Sequence, residues 1–121
     1  MKSILLVEDD QFIADIYSMQ LKEAGYSVDI AIDGKMALSR IENHLPDLLI
    51  LDINLPKMSG WQVLDVIRQD EKLKNLKVIV ISNINPKDCE KEIKKYNISN
   101  YFLKVQTTFP EILQSVKEIL N

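Results

Sequence analysis

Short apolar runs alternate with helix-period segments five times along this chain, and that alternation constrains the fold more than any other feature. Three of the runs are continuously apolar, which is typical of strands covered on both faces in a parallel sheet. The second run alternates more between apolar and polar residues, and we expect it to lie at a sheet edge. The runs cover residues 4–7, 28–31, 48–51, 78–81 and 101–103.

Helix start and stop signals lie between the runs, where apolar residues recur at helical spacing. They are Gly25 as the stop of the first helix, Asp33 and Ser59 as N-caps of the second and third, Asn85 with Pro86 as the start of the fourth, and Thr108 with Glu111 as a capping box for the fifth. The pattern is a βα unit repeated five times. It predicts an α/β fold with a parallel sheet, helices on both faces and right-handed crossovers.

Size and composition exclude several classes of protein. The 121 residues suit one domain over residues 1–121, and 46% hydrophobic with 27% charged residues is normal for a folded globular chain. A formal net charge of -3 argues against nucleic acid as a direct partner. No apolar run has the length of a membrane span, and the N-terminus does not resemble a signal peptide. The one cysteine, Cys89, cannot form an internal disulfide, which fits a reducing compartment, and it is expected to pack on a helix face. Together these features make a cytoplasmic location the expectation.

Charged and polar residues stand where four of the five runs end. Glu8 and Asp9 follow the first run, Asp52 the third, Ser82 the fourth and Lys104 the fifth. In an open parallel sheet, sites form outside the carboxyl ends of the strands, so these groups are expected to converge. Clustered carboxylates repel one another unless they take up protons or bind a cation, and oxygen ligands suit Mg²⁺.

The convergence has a chemical interpretation. A carboxylate beside a metal ion can attack a phosphoryl group, and an ammonium and a hydroxyl can neutralise the phosphoryl oxygens. Each group alone has an ordinary explanation: the acids at 8–10 can cap a helix, and Ser82 can serve a loop. The joint pattern at four strand ends favours a site that carries an aspartyl-phosphate on Asp52.

These residues resemble the motifs of the response-regulator receiver family. The similarity lies in residues 4–10, 51–56 with Ser59 and Gly60, 80–82 and 101–104, in the same order and at compatible spacing, and it covers essentially the whole chain. The resemblance implies a doubly wound, flavodoxin-like (βα)5 fold with a five-stranded parallel sheet in the order 2-1-3-4-5.

The resemblance also implies a role for each site residue. Mg²⁺ would be held by the carboxylates of Glu8, Asp9 and Asp52 and by the backbone carbonyl of Asn54. Asp52 would accept the phosphoryl group, Ser82 would hydrogen-bond it and Lys104 would pair with it. Ser82 and Tyr101 would form the switch, with the Tyr101 rotamer reporting phosphorylation.

The same resemblance implies the partners. A sensor histidine kinase or a phosphotransfer protein would donate the phosphoryl group, and the face made by the fourth helix, fifth strand and fifth helix would bind a downstream protein. The chain would be a monomer or a phosphorylation-dependent dimer. It would not be an enzyme acting on an external metabolite, although it would assist its own phosphotransfer and dephosphorylation.

Three positions depart from the family pattern. Val105 follows Lys104 where the family has proline, so we expect a trans bond and a loop that points Lys104 less firmly, because a cis bond before a non-proline residue costs about 2.5–4 kcal/mol. Asn83 follows Ser82 in place of a small residue, and we expect it to narrow access to the phosphoryl group. Asn97 and Ile98 replace a small Gly-Ala pair before the fifth strand.

Other functions remain open at this stage. One is a receiver-like scaffold that binds a partner without phosphorylation. Another is a phosphohydrolase with an aspartyl nucleophile, which Asn54 disfavours, because such enzymes place a second acid two residues after the nucleophile. A nucleotide-binding protein is the least favoured, since the three glycines form no phosphate loop after the first strand.

Overall fold

The computed structural model describes residues 1–121, which form one parallel sheet with helices on both faces. The strands are β1 (Ser3–Val7), β2 (Ser27–Ala31), β3 (Leu48–Asp52), β4 (Lys77–Ser82) and β5 (Asn100–Leu103). Their order in the sheet is β2-β1-β3-β4-β5, and every neighbouring pair is parallel. The expected doubly wound order and the edge position of the second strand are confirmed.

Five α-helices complete the fold. They are α1 (Gln11–Glu23), α2 (Gly34–Asn43), α3 (Gly60–Gln69), α4 (Glu90–Lys95) and α5 (Phe109–Leu120), with short 3-10 turns at Pro86–Asp88 and Lys104–Gln106. No helix combines the length and the apolar character that crossing a membrane requires.

The sheet separates two hydrophobic clusters, because successive side chains of a strand point to opposite faces. Leu5 and Val7 of β1 join α2 and α3 in one cluster, while Ile4 and Leu6 join α1 and α5 in the other. The central strands β1, β3 and β4 are almost entirely buried, whereas no residue of β5 is fully buried. The most deeply buried part of the sheet is therefore the part whose strand ends carry the predicted carboxylates.

Three of the predicted helix signals are confirmed. The Asp33 carboxylate accepts a hydrogen bond from the amide of Met36, and Ser59 forms a capping box with Gln62. Gly25 follows α1 with φ +101°, a conformation that glycine adopts without steric cost.

Two of the predicted helix starts need correction. Thr108 stands at the N-cap of α5, but its side chain makes no capping bond. Pro110 at the second position has no N–H, and the Glu111 amide donates to the Thr108 carbonyl at 3.2 Å, so no amide is left for the hydroxyl. Asn85 does cap a helical turn through the Lys87 amide, but that turn is the 3-10 turn, and α4 begins only at Glu90.

The Asn97–Ile98 pair also has a structural explanation. Asn97 adopts φ +51°, a left-handed conformation that asparagine tolerates better than most residues. Ile98 packs against the cluster beneath α2 and α3. The larger residues are thus accommodated without breaking the turn that leads into β5.

Candidate functional site

Three carboxylates meet at the carboxyl edge of the sheet. Glu8 follows β1 and Asp52 ends β3, which lies beside β1; their exposed fractions are only 3% and 4%. Asp9 is exposed, and one carboxylate oxygen of each of the three residues lies within 4.8 Å of the others. Burying carboxylates is costly unless a cation or hydrogen bonds compensate for the lost hydration. The predicted acidic residues therefore come together in a group that could hold a metal ion.

Lys104 supplies part of that compensation. Its Nζ atom lies 2.9 Å from Asp52 Oδ2 and 3.0 Å from Glu8 Oε1. The side chain reaches past the end of β4, because β4 separates β5 from β3 in the sheet. Every peptide bond of the chain is trans, as expected for a lysine followed by Val105. Both contact distances are those of close ion pairs, so they give no support to the expectation that Lys104 is pointed less firmly.

The charges at this edge do not balance. Burial raises the pKa of Glu8 to about 7. The hydrogen bond from Lys104 lowers this pKa, and the nearby Asp52 charge raises it, so the raised value is the net result. Burial alone would lower the pKa of Lys104, but hydrogen bonds to Asp52 and Glu8 outweigh it and raise that pKa. Three carboxylates thus face one ammonium, and the set favours a further cation or a proton.

The backbone around Asp52 is closely packed. Asp52 Oδ1 accepts a hydrogen bond from the Asn54 amide at 3.1 Å. The Asn54 carbonyl accepts no backbone hydrogen bond, which leaves it free for another donor or a metal. Gly60, at the start of α3, lies so close that a Cβ atom there would be 2.7 Å from the Asp52 carbonyl oxygen. The sequence indicates Gly60 only as part of the family motif and does not predict its contact with Asp52. Its position directly after the Ser59 N-cap is the signal that could have indicated this close approach.

Ser82 and Tyr101 lie on the next two strands and are joined through one residue, Ile84. Ser82 ends β4, is fully buried, and its Oγ atom accepts a hydrogen bond from the Ile84 amide at 3.0 Å. Tyr101 donates its hydroxyl to the Ile84 carbonyl at 2.6 Å. Burial raises the pKa of Tyr101 to about 12. Asn83, between Ser82 and Ile84, is exposed.

Two further contacts lie near the site, and the sequence indicates only the second, through the acids at 8–10 that can cap a helix. Lys57, in the loop between β3 and α3, adopts φ +67°, and its Nζ atom lies 3.9 Å from Asp33 Oδ2 at the start of α2. Asp10 caps α1 by accepting from the amides of Phe12 and Ile13. The acidic triplet at 8–10 is therefore divided: Asp10 serves the helix, while Glu8 and Asp9 face the site.

Comparison with known proteins agrees with this arrangement. The family model described as the response regulator receiver domain matches residues 4–117. The chain belongs to the response regulator receiver family. Receiver domains of response regulators act in two-component signalling as switches rather than as enzymes, and they interact with histidine kinases and downstream effectors.

Individual relatives match over nearly the full chain. The polar-differentiation response regulator DivK of Brucella ovis is 29% identical over 120 residues, which covers 99% of this chain and 97% of DivK. The chemotaxis response regulator CheY4 of Vibrio cholerae superposes with a TM-score of 0.90 at 26% identity, covering 99% of each chain. The response regulator TrrA of Thermotoga maritima, solved in complex with Mg²⁺-BeF, gives a TM-score of 0.85 at 32% identity, covering 99% of this chain and 100% of that one.

Proposed function

We propose that residues 1–121 work as one receiver domain in which Asp52 accepts a phosphoryl group and thereby changes a protein-binding surface. The observation that carries the proposal is the position of Lys104, whose ammonium lies within 3.0 Å of both Asp52 and Glu8 at the acidic edge of the sheet. A buried carboxylate with a paired ammonium, and with surplus negative charge beside it, suits a group that receives phosphate with the help of a cation.

The acidic set fits Mg²⁺, which binds through a few carboxylate and carbonyl oxygens and keeps several waters. The carboxylates of Glu8, Asp9 and Asp52 and the backbone carbonyl of Asn54 would hold it, supported by the 4.8 Å clustering of the acids and by the free carbonyl. When bound, the ion would neutralise charge on the phosphoryl oxygens. Glu8 would lose its proton as the ion binds, since its pKa is raised by burial to about 7.

The transfer itself is a displacement at phosphorus. A carboxylate oxygen of Asp52 forms the new O–P bond while the bond to the donor's leaving group breaks, and that group departs with its electron pair. Lys104 pairs with the incoming phosphoryl oxygens, and Ser82 donates its hydroxyl to them. Water later attacks the phosphorus and returns Asp52 to its carboxylate, so the chain assists its own reactions without acting on an external metabolite.

The phosphoryl donor would be a sensor histidine kinase or a phosphotransfer protein, in which a phosphohistidine nitrogen is the leaving group. Ser82 and Tyr101 would relay the change to the face formed by α4, β5 and α5, which would bind a downstream protein as a monomer or in a phosphorylation-dependent dimer. The hydrogen bonds that join Ser82 and Tyr101 through Ile84 support this route. A cytoplasmic location belongs to the same proposal, and the free, buried thiol of Cys89 is consistent with it.

Phosphorylation from a small donor tests the proposal. The protein is incubated with Mg²⁺ and acetyl phosphate, and intact mass is measured for the parent, for Asp52→Asn and for Asp15→Asn, an exposed acid on α1, as the control. We expect one phosphate on the parent and on Asp15→Asn and none on Asp52→Asn.

The competing functions give different results in the same experiment. A scaffold that works without phosphorylation would show no phosphate adduct and no binding of beryllofluoride. A phosphohydrolase would release phosphate continuously from many organophosphates. Either result would contradict the proposal.

A further inference from the structure

The segment from Asn83 to Glu111 contains only two buried residues, and they stand at the two ends of α4. Cys89 precedes the helix and is 4% exposed; Tyr96 follows it and is 8% exposed. The six residues of α4 itself include none that is buried. The helix is therefore attached to the domain mainly through its ends, and the two attachments differ in strength.

The Tyr96 end is bound to α3 by several contacts. The Tyr96 hydroxyl donates to Asp65 Oδ1 at 3.1 Å, and its ring stacks on Trp61 with the ring centroids 6.1 Å apart. The Tyr96 carbonyl accepts from Arg68 Nε at 2.7 Å, and the same guanidinium donates to the carbonyl of Leu76 at 2.8 Å. Both hydrogen bonds of Tyr96 involve a charged group, and such bonds are stronger than neutral ones.

The Cys89 end depends on one side chain from β5. Cys89 Sγ lies 3.5 Å from Tyr101 Oη and 3.7 Å from the Asn85 carbonyl, and a thiol is a weak hydrogen-bond donor. Cys89 also makes no side-chain capping bond to α4. Tyr101 in turn is held by its bond to the Ile84 carbonyl. Apart from bonds within its own segment, the start of α4 is therefore held by the contact of Cys89 with Tyr101, which lasts while Tyr101 keeps its hydroxyl turned toward the β4–α4 loop.

We propose that α4 turns about Tyr96 as a pivot, and that the Cys89–Tyr101 contact is the latch that holds its other end closed. Opening the latch moves the start of α4 and uncovers the Cys89 thiol. The link to signalling rests on the proposed function: a phosphoryl group hydrogen-bonded by Ser82 orders the loop that carries Ile84, which keeps Tyr101 in place and the latch closed. Cys89 and Tyr96 are positioning residues here, and neither touches the phosphoryl group.

Alkylation of Cys89 reports whether the latch is open, because Cys89 is the only thiol in the chain. The rate of labelling by iodoacetamide is measured on the unphosphorylated protein for the parent, Tyr101→Phe and Tyr101→Ala. We expect labelling to be about five- to tenfold faster in Tyr101→Phe, which loses the bond to the Ile84 carbonyl and the weak contact with Cys89, and faster still in Tyr101→Ala. An unchanged rate in Tyr101→Ala would overturn the latch.

The matched control is Tyr26→Phe, which removes a hydroxyl from a tyrosine buried in the cluster on the other face of the sheet. Its labelling rate should equal that of the parent. If Tyr26→Phe accelerated labelling as much as Tyr101→Phe, the thiol would be exposed by general unfolding, and the latch would be wrong.

Amide hydrogen exchange tests the pivot. The Ile93 amide donates to the Cys89 carbonyl at the start of α4, and the Tyr96 amide donates to the Glu92 carbonyl at its end. In Tyr101→Phe the start of α4 loses its support, so its first turn should open more often and exchange at Ile93 should accelerate, while exchange at Tyr96 stays at the parent rate. Equal acceleration at both amides would mean that α4 detaches as a whole and that Tyr96 is no pivot.

A last experiment tests whether the latch is linked to the proposed phosphorylation of Asp52. Beryllofluoride with Mg²⁺ should slow the labelling of Cys89 in the parent and leave Asp52→Asn unchanged. If Tyr101→Phe opens the latch as expected but beryllofluoride has no effect, the latch stands and its link to phosphorylation fails.

Discussion

The acidic edge of the sheet and the segment around α4 are built in opposite ways. Glu8 directly follows β1 and Asp52 ends β3; both of these central strands are almost entirely buried, and one ammonium binds both residues. From Asn83 to Glu111, by contrast, only Cys89 and Tyr96 are buried. The residues proposed to bind the metal and the phosphoryl group lie beside the buried central strands, and the segment proposed to change shape has few buried residues, as expected of elements that open locally.

Replacing the site lysine should have the largest effect. Lys104→Met leaves two buried carboxylates without their ammonium, and we expect it to lower the free energy of unfolding by about 3 kcal/mol in the absence of divalent metal. Urea denaturation measures this. The control is Lys95→Met on α4, whose exposed ammonium lies 4.0 Å from Asp65 and should contribute about 0–1 kcal/mol. Equal losses in the two variants would break the contrast between the regions.

A methyl group at Gly60 should have the next largest effect. Gly60→Ala would place a Cβ atom 2.7 Å from the Asp52 carbonyl oxygen, so the backbone of the acceptor strand must shift. We expect a loss of about 1–3 kcal/mol in unfolding free energy, together with slower phosphorylation by acetyl phosphate. Gln69→Ala, at the exposed end of the same helix, serves as the control. Normal stability and normal phosphorylation in Gly60→Ala would show that the acceptor strand is not tightly constrained.

The raised pKa of Glu8 predicts a specific dependence on pH. Burial raises this pKa from 4.5 to about 7, so between these values the folded chain keeps a proton that the unfolded chain has lost. Without metal, the contribution of Glu8 to the free energy of unfolding should therefore fall as pH rises through that window. Binding of Mg²⁺ should strengthen over the same window, since the ion competes with the proton.

Glu8→Gln tests that dependence against Glu42→Gln, an exposed glutamate on α2. Unfolding is followed in urea from pH 4 to pH 8, a range that brackets the window set by the pKa of about 7. Glu8→Gln should lose the fall in stability, and Glu42→Gln should keep it. If both variants followed the parent, the Glu8 carboxyl would not be the titrating group.

The smallest effect is expected at Asn83, which lies outside the buried central strands. Asn83 is exposed beside Ser82, and we expect its side chain to restrict the approach of phosphate donors and water. Asn83→Ala should change the lifetime of the phosphorylated protein a few-fold and leave its stability unchanged. Decay of the phosphorylated mass with time is the measurement, and an unchanged lifetime would remove the hypothesis.

The same contrast explains how far the sequence could predict the structure. Continuous apolar runs with acids at their ends identified β1, β3 and the convergence of Glu8, Asp9 and Asp52, because burial on both faces leaves a strong pattern. The start of α4 was placed too early, because Asn85 and Pro86 begin a 3-10 turn as readily as an α-helix. The box at Thr108 failed because the Glu111 amide, which the box needs, donates to the Thr108 carbonyl instead of the hydroxyl.

Other features depend on distances between elements that are far apart in the chain. The close approach of Gly60 to Asp52, the contact of Cys89 with Tyr101 and the anchoring of Tyr96 on Asp65 each join separate segments. Residue types and local spacing do not indicate which distant residues will be in contact. The sequence therefore predicted which residues form the site better than which residues support it.

Chemical trapping of the phosphorylated residue tests the central claim most directly. The protein is phosphorylated by acetyl phosphate with Mg²⁺ and treated with borohydride, which reduces an acyl phosphate to an alcohol, and its peptides are then sequenced by mass spectrometry. We expect homoserine in place of aspartate at position 52, with Glu8 and Asp9 unchanged. Reduction at either of those acids, or at no carboxylate in a protein that has taken up phosphate, would contradict it.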